Sequence, residues 1–204
     1  MIAIIDYGLG NIKAFAHVYK NLNIPVTIAK QSKDLKNAAK IILPGVGAFD
    51  HAMGRLNESG MRELLDDLVL NKHVPVLGIC VGMQMLANFS EEGKLPGLKW
   101  IDGEVKKFIS ASADDRFYIP HMGWNNISAV KENKLMKALD QNSRFYFLHS
   151  YYFHCNQSED IIANTDYGTR FTCVVNKGNI YGVQFHPEKS HQWGVQLLKN
   201  FAEL

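Results

Sequence analysis

Val76-Leu77-Gly78-Ile79-Cys80-Val81-Gly82-Met83-Gln84 is an apolar run that ends in Gly-x-Cys-x-Gly and leads into a segment of helical character. A buried strand that turns sharply into a helix holds the residue at the turn on a rigid, raised tip, and here that residue is a cysteine. The pattern predicts a strand over 74–79 and a helix over 81–88. Gly78 and Gly82 flank Cys80 because side chains there would collide with the following helix. At a helix N-terminus the free N–H groups and the dipole favour negative charge. A thiolate at Cys80 is therefore stabilised, and the Val81 N–H points where an oxyanion would form. Alone, the pattern reads either this way or as a structural cysteine buried in a strand–helix turn.

Downstream, Ile180-Tyr181-Gly182-Val183-Gln184-Phe185 runs into His186-Pro187-Glu188. In extended chain, residues i and i+2 face the same side. Glu188 can therefore hold one imidazole nitrogen of His186 while the other faces a thiol, the Cys-His-acid form of the triad. Pro187 stops the strand because it cannot donate to the ladder. By itself His-Pro-Glu is also a plain polar strand end; after an apolar strand, in a chain with a cysteine elbow, it supplies a base and the acid that orients it. Lys40-Ile41-Ile42-Leu43 reads as a strand followed by Pro44-Gly45-Val46-Gly47-Ala48-Phe49. Its glycines either turn backbone N–H groups outward as a second oxyanion donor or form an ordinary turn.

Together these motifs resemble the class I (triad) glutamine amidotransferases. Among them the chain is similar to the glutaminase subunits of imidazole glycerol phosphate synthases, over essentially its whole length. The opening Asp6-Tyr7-Gly8-Leu9-Gly10-Asn11, Pro120-His121-Met122-Gly123-Trp124-Asn125 and His149-Ser150-Tyr151-Tyr152 narrow the resemblance to that group, and Gly182 to Ser190 closes the set. The resemblance implies that Cys80 attacks the carboxamide carbon of glutamine, that His186 carries the proton to the departing ammonia, and that Glu188 orients His186. It implies an oxyanion hole at Val46, Gly47 and Val81, and glutamine contacts from Gln84, Glu92, Ser150 and Tyr151. It implies further that Asn11, His121, Trp124 and Lys189 lie at the ammonia exit, facing a cyclase subunit of (β/α)8-barrel type that makes imidazole glycerol phosphate and AICAR in histidine biosynthesis. No cofactor or metal is implied, and a chain without its own synthase domain should be weakly active until that partner binds.

The remaining features narrow the field. At 204 residues the chain suits one sizeable core, a single glutaminase domain over 1–204, and no linker divides it. With 22 basic against 20 acidic residues, a nucleic-acid surface is not expected. The longest apolar runs, 2–5 and 74–79, are too short to span a bilayer. Met1 leads directly into a strand-like run with no basic leader, and three cysteines make no disulfide framework, so a cytoplasmic setting is expected. Gly8 and Gly10 follow a strand and precede a helix, but Lys13 occupies the third glycine position of a dinucleotide fingerprint and Lys30 the place of its acidic ribose ligand. That leaves a tight turn with Asn11 as helix cap. His149, His154 and Cys155 lie close together without the paired spacing of a metal site.

Strand-like and helical segments alternate through the first half: helices over 11–21, 33–39 and 49–71, the last broken at Ser59-Gly60, and strands at 1–6, 26–29 and 41–43. Strands dominate the second half, at 104–108, 145–148, 161–165, 171–175 and 180–185, with a loop at 110–116. A closing helix over 192–202 carries a stripe of Val195, Leu198 and Phe201. The expected fold is α/β, three-layered and flavodoxin-like, with a largely parallel central sheet and a strand-rich C-terminal half. His191-Gln192-Trp193 adds unusual bulk beside the expected partner face. It leaves open a second acceptor for the same ammonia, such as a synthase modifying a surface sugar. A regulatory relative without activity would not need the intact Cys80, His186 and Glu188.

Overall fold

The computed structural model describes residues 1–109 and 118–204; the expected loop at 110–116 lies outside them. Strand β1 (Ile2–Ile5) is buried on both faces. It is followed by α1 (Ile12–Asn21), which buries Phe15 and Tyr19, and by β2 (Val26–Ala29). The helix expected at 33–39 is only a 3-10 turn, Ser32–Leu35, capped at its start by the Asp34 carboxylate, which accepts the backbone N–H groups of Lys30 and Gln31. Then come β3 (Lys40–Gly45), α2 (Phe49–Glu58), α3 (Arg62–Asp66) with a π turn to Asn71, and β4 (Val76–Cys80). The break between α2 and α3 falls at Ser59-Gly60, as expected.

The elbow helix α4 (Val81–Gln84) is one turn, shorter than the expected 81–88. The carbonyls of Met85, Leu86 and Ala87 are taken by the N–H groups of Leu98, Trp100 and Lys99 in the returning chain, so the helix cannot propagate. The second half comprises β5 (Phe89–Ser90), β6 (Gly103–Lys107), β7 (His121–Asn126), β8 (Ser128–Ala129), β9 (Arg144–His149), β10 (Tyr151–Cys155), β11 (Ile161–Tyr167), β12 (Thr169–Lys177) and β13 (Ile180–Val183). The chain closes with α5 (His191–Ala202), which buries Leu197, Leu198 and Phe201; Val195 of the expected stripe is only half-buried.

One sheet runs β2-β1-β3-β4-β13-β12-β10-β6-β5, with β11 paired to β12 and β8 paired to β11. From β2 to β13 every pair is parallel; β12 and β10 then continue antiparallel. β7 and β9 form a separate antiparallel ribbon, His121 opposite His149. That ribbon joins the main sheet where the His186 N–H donates to the Tyr146 carbonyl at 2.8 Å. No helix among the described residues is long and apolar enough to cross a membrane.

This order positions the site. β4 lies between β3 and β13, with Gly45 beside Cys80 and Val183 beside Ile79. Three motifs far apart in sequence therefore leave neighbouring strands at the same, C-terminal edge, where ligands of open parallel sheets bind.

Candidate active site

Cys80 sits at the elbow with φ +55° and ψ −114°, a backbone conformation that L-residues avoid. The surroundings enforce it. A Cβ on Gly82 would lie 1.9 Å from the Leu43 carbonyl oxygen, and one on Gly78 would lie 2.6 Å from the Gly82 oxygen. The glycines let β4 and α4 approach the neighbouring strand closely, and the strain raises the cysteine side chain into the cleft.

His186 is buried, and its Nδ1–H donates to Glu188 Oε1 at 2.9 Å. The other nitrogen, Nε2, is thereby left for the sulfur of Cys80. Burial alone would lower the imidazole's affinity for a proton. The hydrogen bonds and charges of Cys80 and Glu188 outweigh it and raise the pKa well above the ordinary histidine value. Ser190 steadies the ring's backbone, donating to the His186 carbonyl at 2.6 Å and accepting the Tyr146 N–H at 3.0 Å. Asn11 occupies the cap position of α1 but does not cap it; its Nδ2 donates instead to Glu188 Oε1 at 3.3 Å.

These groups open onto a cleft of about 450 Å³. Val46, Gly47 and Val81 line it on the side of the β3 loop, and the Tyr7 hydroxyl anchors that loop by donating to the Pro44 carbonyl at 2.7 Å. Burial first, and then the charge of Cys80, hold the Tyr7 hydroxyl protonated well above the ordinary phenol range. Gln84, Glu92, Ser150 and Tyr151 line the far side, and Asn11 and Lys189 the rim. Both N–H groups of Gln84 are engaged, with the Tyr151 carbonyl at 2.9 Å and with Gln184 Oε1 at 3.1 Å, so Oε1 of Gln84 is the atom left for a ligand. One oxygen of Glu92 accepts the Phe49 N–H at 2.8 Å at the start of α2.

The partner-facing expectation divides. Trp124 is exposed on β7, stacked parallel on His191 at 5.1 Å, and Lys189 lies over the Tyr146 ring at 5.6 Å. His121 requires a correction: it is 2% exposed, turned inward and stacked between Tyr167 and Phe147, with its Nδ1 3.1 Å from His149 Nε2. Alternation along β7 explains this, since His121 and Trp124 are three apart and must face opposite sides. Burial pushes His121 down to about 4 and His149 to about 3, so both are neutral at pH 7. No group of His, Cys, Asp or Glu suited to a metal gathers among the described residues.

The family model for class I glutamine amidotransferases matches residues 3–204. The chain belongs to the class I glutamine amidotransferase family. Among curated proteins, imidazole glycerol phosphate synthase subunit HisH of Bdellovibrio bacteriovorus is 58% identical over 204 residues, 100% of both chains. The HisH subunit of Leptospira interrogans is 55% identical over the same full lengths. A crystal structure of a glutamine amidotransferase superposes with a TM-score of 0.76, covering 100% of this chain and 99% of that one, at 16% identity. The fold is thus that of the class I glutamine amidotransferases.

Four further residues shape the amidotransferase cleft without having been singled out for it: Tyr7, Leu148, His149 and Gln184. Leu148 contributes a carbonyl 3.9 Å from the Cys80 sulfur, which no side-chain pattern could signal. Gln184 had a visible sign, being the one amide in the apolar run ahead of His186.

Proposed function

We propose that this chain hydrolyses glutamine to glutamate and passes the ammonia to a separate synthase subunit, as the glutaminase subunit of an imidazole glycerol phosphate synthase in histidine biosynthesis. The observation that carries the reading is His186, fixed at Nδ1 by Glu188 and presenting its other nitrogen to a cysteine on a strained elbow. The full-length HisH relatives support the pathway, and their names do not favour an acceptor that modifies a surface sugar.

The chemistry follows from the geometry. Cys80 gives its proton to His186, and the sulfur attacks the carboxamide carbon of glutamine. The carbonyl electrons move onto oxygen, where backbone N–H groups at Val81 and in the Val46–Gly47 loop stabilise the charge; each such donor contributes ~3 kcal/mol at comparable sites. His186 returns the proton to the amide nitrogen, the C–N bond breaks and ammonia leaves. His186 then takes a proton from water, whose oxygen attacks the thioester; the C–S bond breaks, glutamate departs and the thiol is restored.

Trp124 and Lys189 sit on an exposed face beside the cleft, the face assigned here to the partner, a (β/α)8 barrel in the cytoplasm. The test is glutamine turnover by the chain alone and with the synthase subunit and its ligand. Weak activity alone and strong stimulation by the complex are expected. Full activity of the isolated chain would contradict coupling to a partner.

A further inference from the structure

We propose that Gln184 is a positioning residue for the nucleophile, its side-chain amide donating to the Cys80 sulfur and holding the ionised form in place for attack. The proposal rests on the glutaminase reading and extends it to a residue that reading does not use.

The Tyr151 carbonyl can only accept. It takes Gln84 Nε2 at 2.9 Å and His149 Nδ1 at 2.8 Å, which sets the Gln84 amide with its NH2 group toward Tyr151. The same NH2 group lies 3.1 Å from Gln184 Oε1, so that atom must be the acceptor end of Gln184. The NH2 end of Gln184 is then the one that faces Cys80, with Nε2 3.9 Å from Sγ. The orientation of an amide, ordinarily a matter of assignment, is fixed here by a carbonyl that has no proton to give. Gln184 is fully buried, and a buried amide is costly unless its groups are used.

The second part concerns charge. Leu148's carbonyl also lies 3.9 Å from Sγ and suits the thiol, which donates to it. Once the proton has passed to His186, that carbonyl has nothing to offer the sulfur. The titratable groups facing Cys80 are His186, with Glu188 behind it, and Tyr7 just after β1; His149 lies near enough to His186 to feel its charge. Gln184 adds a neutral donor whose hydrogen stays in place whichever way the catalytic proton moves. A donor to the charged form favours that form. It serves when the thiolate attacks and again when the thioester breaks.

The test is the pH dependence of Cys80 alkylation by iodoacetamide, read by peptide mass spectrometry on the full chain, together with glutamine turnover in the presence of the synthase subunit. Gln184→Met keeps the length and loses the amide. Its alkylation midpoint should rise by about one pH unit, and kcat should fall about 10-fold with a smaller change in KM. Gln184→Glu should move the midpoint further in the same direction. In the wild type, the side-chain amide NMR signals of Gln184 should titrate with the alkylation midpoint and cease to do so in Cys80→Ala. An unmoved midpoint in folded Gln184→Met overturns the proposal. So does a wild-type Gln184 signal indifferent to pH, and that measurement decides the matter if the variants do not fold. If wild-type Cys80 supports no glutamine hydrolysis at all, the glutaminase reading fails as well, and the two failures are told apart.

Discussion

Asn11 Nδ2 donates to Glu188 Oε1 across 3.3 Å, although 177 residues separate the two. The same oxygen accepts His186 Nδ1, while Glu188 Oε2 is buried with no partner among the described residues. The acid of the proposed triad is therefore tied, through one oxygen, to a residue at the exposed rim. Asn11→Ala should lower kcat roughly 3- to 10-fold, the scale of one ordinary net hydrogen bond, as suits a long contact at an exposed rim. Asn11→Asp should cost more, because it sets two carboxylates together. Steady-state kinetics of the complex, with melting curves as a control, checks the order.

The strained elbow gives a stability prediction of unusual sign. At φ +55° an L-residue carries a penalty that glycine does not. Cys80→Gly should therefore be more stable than Cys80→Ala by about 1 kcal/mol, although glycine ordinarily weakens a strand end. Urea unfolding of the two variants measures the difference directly.

Gly82 tests the packing that imposes the strain. Its missing Cβ would stand 1.9 Å from the Leu43 carbonyl oxygen, a backbone atom that cannot swing aside. Gly82→Ala should destabilise the chain by ~3 kcal/mol or more and displace Cys80 from His186. Gly47→Ala, with open space around the Cβ position but φ +83°, should leave melting less affected and disturb turnover.

How much of this was legible follows from where the signals lie. The elbow, the β3 loop and His-Pro-Glu are local patterns, legible because strand ends and glycine turns write themselves into a few consecutive residues. The alternation of strand and helix gave the parallel half of the sheet. Strands β5, β7 and β8 are short or carry mixed polar and aromatic residues with no clean period, and their pairing across the ribbon and sheet decides them. α4 is shorter than its pattern because the pattern continues past Gln84, while the carbonyls beyond it are claimed by Leu98, Lys99 and Trp100 in the returning chain. The family resemblance turns His121 outward; only the facing of β7 against Tyr167 and Phe147 shows it to be interior.

The paired interior histidines make stability depend on acid. His121 and His149 are held neutral, at about 4 and about 3, against an ordinary value near 6.5 in the unfolded chain. Above about pH 6.5 neither state binds these protons and the stability is fully present. As pH falls from there toward 4 and then 3, the unfolded chain takes up protons that the folded chain refuses. Stability should drop by up to ~1.4 kcal/mol per pH unit for each ring. Unfolding free energies from pH 7 to 4 should show that slope, and His121→Phe should flatten it.

In the proposed reaction the sulfur of Cys80 is the atom that cleaves the amide. Its most direct test is release of labelled ammonia from amide-15N glutamine by the complex of this chain with its synthase subunit, wild type against Cys80→Ala. The expected result is a loss of at least about 1,000-fold in the variant with assembly intact. Ammonia release by Cys80→Ala at a rate near that of the wild type would contradict the account.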